Sequence, residues 1–98
     1  MSYVILTSKD GIFRTEADDG LRPVETYDYL FGGERRARFV IAELTHETRV
    51  RIVGDEDGTV NKVRSKFLEH FDSVEAARRE LEGLARYGRL DVMLRKVM

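Results

Sequence analysis

Phe71 to Gly88, FDSVEAARRELEGLARYG, is the one stretch in which the start, the buried face and the end of a single element agree. Asp72 is placed to N-cap a helix, and Glu75 three residues on completes an acidic variant of the capping box. Phe71 before the cap is expected to pack back on Ala76 as a hydrophobic staple. Val74, Ala77, Leu81 and Leu84 recur at steps of three and four, which puts them on one helical face. Gly88 stands where such a helix needs a left-handed C-cap. A helix of about 14 residues is marginal by itself in water, so its apolar stripe must dock on something. The rest of the chain reads mainly as strands, so that something is a sheet. The expected fold is α+β: an antiparallel sheet of about five strands with one main helix, in the C-terminal half, packed on one face.

The strand candidates come from alternation and turn signals. Tyr3 to Thr7 (YVILT) is a short β-prone run, closed by the turn signal SKDG and followed by GIFRTE, so a first hairpin is expected. Val24 to Phe31 (VETYDYLF) fits two templates. As a strand it puts Glu25, Tyr27, Tyr29 and Phe31 on one face; as a helix, with Pro23 at the first position and Gly32 past the end, it groups Val24, Tyr27, Leu30 and Phe31. The strand is the preferred reading. Ala37 to Leu44 (ARFVIAEL) carries apolar residues on both faces and is expected to be a central strand. Thr48 to Val53 alternates Val50 and Ile52 against Arg49 and Arg51, a half-buried strand with a basic outer face. GDEDG at 54–58 forms a turn, from which Thr59 to Val63 can pair back. Ser65 to His70 (SKFLEH) reads as a helical turn or an irregular segment, with Phe67, Leu68 and Phe71 supplying core. Leu90 to Val97 is expected to be a last strand near an edge, because Arg95 and Lys96 end it.

Length and composition narrow the function by exclusion. At 98 residues the chain is expected to form one domain, residues 1–98. It has no cysteine, which rules out disulfides, thiol catalysis and cysteine-ligated zinc or iron–sulfur sites. MSYVILTSKDG has no basic region followed by a long apolar run, so no signal peptide is predicted. No apolar run approaches the roughly 20 residues of a membrane helix, and the expected location is the cytoplasm, with no membrane partner. Charged residues make up 36% of the chain for a net charge of −1. Residues 1–34 hold 3 basic and 7 acidic residues, and residues 35–98 hold 14 and 11. That asymmetry is smaller than the basic excess usual in a nucleic-acid binder.

No constellation argues for catalysis. His46 and His70 lack ligand-like spacing to carboxylates, and the GDEDG turn lacks the distant glutamate of a calcium loop. Ser8, Ser65 and Ser73 have no nucleophile setting, Ser73 being better explained as a helix N-terminal residue. Gly32-Gly33-Glu34-Arg35-Arg36 falls short of a phosphate loop. No catalytic residue, metal site or cofactor is predicted, and the sequence reads against an enzyme.

Two binding surfaces remain as candidates. Arg35, Arg36 and Arg38 open one strand, Arg49 and Arg51 line the next, and Lys62, Arg64 and Lys66 follow at steps of two. If these strands are neighbours, one sheet face carries a cationic patch, and Tyr27 and Tyr29 nearby would suit single-stranded nucleic acid. The plainer alternative is a solvated face with cross-strand ion pairs to residues such as Glu43 or Glu47. Tyr27, Tyr29 and Phe31 form the second candidate, an aromatic patch if they are exposed together and core otherwise. The free edge at Leu90 to Val97 offers a third route, by strand addition. The helix surface, Arg78, Arg79, Glu80 and Glu82, is mixed in sign and reads as ordinary solvated surface. The expected function is a small soluble non-catalytic interaction protein, an accessory or regulatory subunit or a homodimer, binding through a sheet face or edge. The alternative is a nucleic-acid-binding module using the basic face.

Overall fold

The computed structural model describes residues 2–86 and 92–98, and these form seven strands and one α-helix. They are β1 (Ser2–Lys9), β2 (Phe13–Ala17), β3 (Leu21–Phe31), β4 (Glu34–Leu44), β5 (Arg49–Gly54), β6 (Val60–Arg64), α1 (Val74–Arg86) and β7 (Val92–Lys96), with a 3-10 turn at Ser65–Phe67 before the helix. All strand pairings are antiparallel, in the order β6-β5-β2-β1-β4-β3-β7. The α+β class and the position of the helix are as the sequence indicates; the sheet is larger than the expected five strands. The short runs also form strands: β2 pairs between β1 and β5, β6 pairs with β5 at one edge of the sheet, and β7 pairs with β3 at the other. The expected C-cap at Gly88 and the expected start of the last strand at Leu90 lie outside the described residues. No helix among the described residues is long and apolar enough to cross a membrane.

The ambiguous run at 24–31 is strand, held between β4 and β7. Gly32 and Gly33, at φ 59° and 83°, make the two-residue turn from Phe31 to Glu34. Positive φ at both central residues gives a turn whose twist matches that of the flanking strands, and glycine adopts it without strain. With the turn set, the register places Tyr27 opposite Phe39 and Asp28 opposite Arg38.

β4 has the central place its two apolar faces suggest, and each face feeds a different core. Ala37, Phe39 and Ile41 pack with Ala77 and Leu81 of the helix, joined by Tyr3, Ile5, Tyr27, Tyr29, Phe71, Val74 and Leu94. Val40 and Ala42 take part in a second cluster with Val4, Leu6 and Leu21, into which Val50 of β5, Val63 of β6 and Leu68 also pack. The sheet is therefore covered on both sides: by α1 on one, and by its own β5–β6 flank on the other. The bend that permits this lies between β1 and β2. Their ladder pairs Lys9 with Phe13. Beyond it side chains bridge the gap: the Thr15 amide donates to Ser8 Oγ at 2.9 Å and the Thr15 hydroxyl donates to the Thr7 carbonyl.

Three local expectations are corrected. The helix N-cap is Ser73, not Asp72: Ser73 Oγ accepts from the Ala76 amide at 3.0 Å and its carbonyl accepts from Ala77 at 3.2 Å. Phe71 is held in a bridge with Tyr3, with reciprocal backbone bonds of 2.8 Å, so the chain is still extended one residue before Asp72 and the cap falls one residue later. Phe67 is not core but 72% exposed. In a 3-10 turn residues i and i+3 share a side. Ser65 and Leu68 take the inner side, with Ser65 buried and bonded to Thr48, which leaves Phe67 outward. Leu84 belongs to the helical stripe but is 49% exposed. A hollow of about 290 Å³ lies between it and Tyr29 and Phe39, so the helix overhangs the sheet at that turn.

Candidate functional site

The most unusual chemistry sits on β3, where two carboxylates are buried on opposite faces. Glu25 is 5% exposed and Asp28 3%. Aspartate is depleted in strands, and a buried charge is tolerated only when paired and hydrogen-bonded. Both residues meet that condition, by different devices.

Glu25 faces the helix. Arg78 of α1 donates to it from Nε at 2.7 Å and also from Nη2 to the other carboxylate oxygen. The Tyr27 hydroxyl donates at 2.9 Å, and Lys96 Nζ of β7 lies 3.1 Å away. The Arg78 bond, against the opposing effect of burial, pulls the Glu25 carboxyl from its ordinary 4.5 down to about 2. Burial and the bond to Glu25 push the Tyr27 phenol up. Arg78, expected on solvated surface, is instead the tie between helix and sheet. Its long stem carries the guanidinium from a half-exposed helical position in to β3.

Asp28 faces the other way, in a cross-strand row with Arg38 of β4 on one side and Arg95 of β7 on the other. Arg38 Nε donates at 2.8 Å, Arg95 Nη2 lies at 3.4 Å and Arg35 Nη1 at 3.9 Å. In a regular strand Arg35 and Arg38, three apart, would point to opposite faces. A register shift removes that conflict: Tyr29 pairs with Ala37 and Leu30 with Arg35, so Arg36 is the extra residue of a β-bulge. The bulge turns Arg35 onto the side of Arg38. Led by the Arg38 bond, these cations lower the Asp28 carboxyl below its usual value.

The predicted basic residues thus fall into separate groups. Arg38 pairs with Asp28, while Arg35 donates from Nε to Asp10 at 2.8 Å and only approaches Asp28. Arg36 leaves them, lying 6.0 Å over the Phe31 ring and 3.3 Å from Glu34. Arg49, Arg51, Lys62 and Arg64 do come together, on the face of β5–β6 opposite Val50 and Val63, with Arg49 directly across from Arg64 and Arg51 directly across from Lys62. Lys66 stands apart in the 3-10 turn, 5.2 Å over the exposed ring of Phe67.

The aromatic set does not form an open patch. Tyr27 and Tyr29 pack against the helix-side core, Tyr29 edge-on to Phe39 with centroids 6.2 Å apart, and Phe31 is half-buried. The suggested pairing of Tyr27 and Tyr29 with the basic face is not realised, since they lie beneath the helix.

The remaining polar candidates have structural partners. His70 Nε2 lies 2.9 Å from the Ser65 carbonyl, which can only accept, so Nε2 donates there, and Nδ1 is hydrogen-bonded with the Ser2 hydroxyl at 2.9 Å. In the acidic turn Asp57 accepts from the Thr59 amide at 3.0 Å, and Asp55 lies 3.7 Å from Arg14. No group of three potential metal ligands occurs among the described residues.

Chemically, the β3 carboxylates are anchors. A carboxyl lowered to about 2 stays ionised near neutrality and is a poor proton donor there. The strand reading puts Glu25 on the face of Tyr27 and Tyr29 but singles out neither carboxylate, because their partners Arg78, Arg38 and Arg95 lie on other elements. The available signal was an aspartate flanked by Tyr27 and Tyr29 in a β-prone run. Comparison with protein-family models, with curated proteins and with solved structures found no match.

Proposed function

We propose that this chain is a non-catalytic interaction protein, an accessory or regulatory subunit, that takes an acidic partner surface on the outer face of β5–β6. The observation that carries the reading is the register. Two pairs of like charges, Arg49 with Arg64 and Arg51 with Lys62, stand directly opposite one another. Such pairs destabilise a sheet. The chain relieves this only in part: Glu47 lies 3.3 Å from Arg64, and Glu16 and Asp18 lie 3.7 and 3.6 Å from Arg51. Arg49 and Lys62 have no ion-pair partner among the described residues. An incoming carboxylate would satisfy them and ease the repulsion within the ladder. The interleaved acids Glu16, Asp18 and Glu47 favour discrete carboxylates on a protein surface over a uniformly anionic polymer.

One observation favours nucleic acid as a second reading. Phe67, 72% exposed with Lys66 over its ring, has the form of a stacking platform beside a cation. It is a single ring, and Tyr27 and Tyr29 are packed in the helix-side core.

The test compares the tagged wild type with an Arg49→Glu/Arg64→Glu variant in capture from native extract at about 50 mM salt, where surface charge pairs are least screened. Proteins retained by the wild type and lost with the variant support the reading. The same proteins retained by both overturn it. RNA retained by the wild type alone, with a matching mobility shift of single-stranded RNA, transfers the function to the second reading.

A further inference from the structure

We infer that two copies of this chain associate as a two-fold dimer through the apolar trough that the described residues leave open between α1 and strands β1 and β4. This surface is separate from the β5–β6 face, and the inference stands or falls independently of the function proposed for that face. Leu84 lies on the sheet-facing stripe of α1 yet remains half exposed. Two hollows of about 290 and 200 Å³ meet there, both lined by Phe39 and Leu84. Lys9 and Arg36 stand at the first hollow, and Glu69 and Glu80 stand at the second. Lys9, Glu69 and Glu80 are exposed and have no ion-pair partner among the described residues, while Arg36 pairs with the exposed Glu34 and lies over the Phe31 ring.

The trough is thus an apolar centre between a cationic end and an acidic end. That antisymmetry is what an isologous interface needs. A two-fold axis that crosses the trough at the Phe39–Leu84 centre, at right angles to the line joining its ends, lays the cationic end of each copy on the acidic end of the other, twice over, and brings the two leucines together. The same rotation would set like against like if both ends carried one sign. A net charge of −1 adds little long-range repulsion between copies. A partner of unrelated sequence would require no such match of the trough to itself, so a second copy is the occupant the charges select.

The experiment is mass by light scattering behind size-exclusion chromatography, loaded at about 100 μM, where a micromolar Kd still gives mainly dimer. The wild type is expected at twice the chain mass. Leu84→Glu is expected at the monomer mass with unchanged far-UV circular dichroism, since that side chain is already half exposed. Two charge variants extend the test: Lys9→Glu/Arg36→Glu makes both ends acidic, and Glu69→Lys/Glu80→Lys makes both basic. Each alone should be monomeric, and an equimolar mixture should return to the dimer mass. A monomeric wild type overturns the inference. So do a Leu84→Glu variant that remains dimeric, or charge variants that do not recombine on mixing. The Arg49→Glu/Arg64→Glu variant, which alters the other face, should stay dimeric, so the two readings fail separately.

Discussion

Replacing Glu25 by glutamine tests the helix–sheet tie through its pH dependence. In the folded chain the Glu25 carboxyl titrates at about 2, against an ordinary value of 4.5. A depressed folded value means the charged form is the one folding favours, so the stabilisation is complete above the unfolded value and disappears as pH falls through the folded one. The difference corresponds to roughly 3 kcal/mol, gained above about pH 4.5 and lost by about pH 2. Discounting is modest because the Glu25 side chain is only 6% exposed. Glutamine keeps the shape but not the charge. Arg78 and Lys96 then lose their counter-ion, at side-chain exposures of 38% and 55% that let water compensate in part. The expected cost at pH 7 is therefore about 2–3 kcal/mol, shrinking towards zero near pH 2. Urea unfolding followed by circular dichroism, on wild type and variant at intervals from pH 7 to pH 2, measures the difference directly. Asp28 titrates in both proteins, so subtracting one curve from the other isolates Glu25. A difference that stays constant across the pH range, or is already zero at pH 7, would refute the reasoning.

Other substitutions probe the remaining elements. Leu81→Ala, at a position 1% exposed between helix and sheet, should cost about 2–5 kcal/mol in urea unfolding; an unchanged midpoint would remove the docking model. Ser73→Ala should cost about 0.5–2 kcal/mol while Asp72→Ala costs much less, and the reverse order in thermal melts would restore Asp72 as the cap. Arg49→Glu, which converts a like-charged cross-strand pair with Arg64 into an opposite pair, should stabilise the chain by about 0.2–1 kcal/mol at low salt. A loss of stability there would mean the paired arginines do not repel one another.

Much of the architecture was legible because it rests on local periodicity. The two-sided apolar pattern of Ala37 to Leu44 does mark a strand covered on both faces, and the helical stripe does dock through Ala77 and Leu81. The alternation of Arg49 and Arg51 against Val50 does separate an outer from a buried face. The candidate sites were harder to see, because they depend on register. Nothing local to Arg35 and Arg38 announces that Arg36 will bulge and place both beside Asp28. On α1 the helical period does set Arg78 beside Val74 and Leu81 and Arg79 away from them, but nothing local to the helix announces that Arg78 will hold a buried carboxylate on β3.

By itself the sequence determined which segments are strand-like, where the helix lies and which faces are apolar, since steric preference and burial at periods of 2 and 3.6 act over a few residues. The tertiary structure alone decided that Val24 to Phe31 pairs as a strand and that β1 and β2 part to let the sheet fold over itself. It also decided that Glu25 and Asp28 are buried, and that Leu84 is half exposed. Each of these is set by residues tens of positions apart, and the free energy of pairing a buried charge or covering an apolar side chain exists only once the chain has brought those residues together.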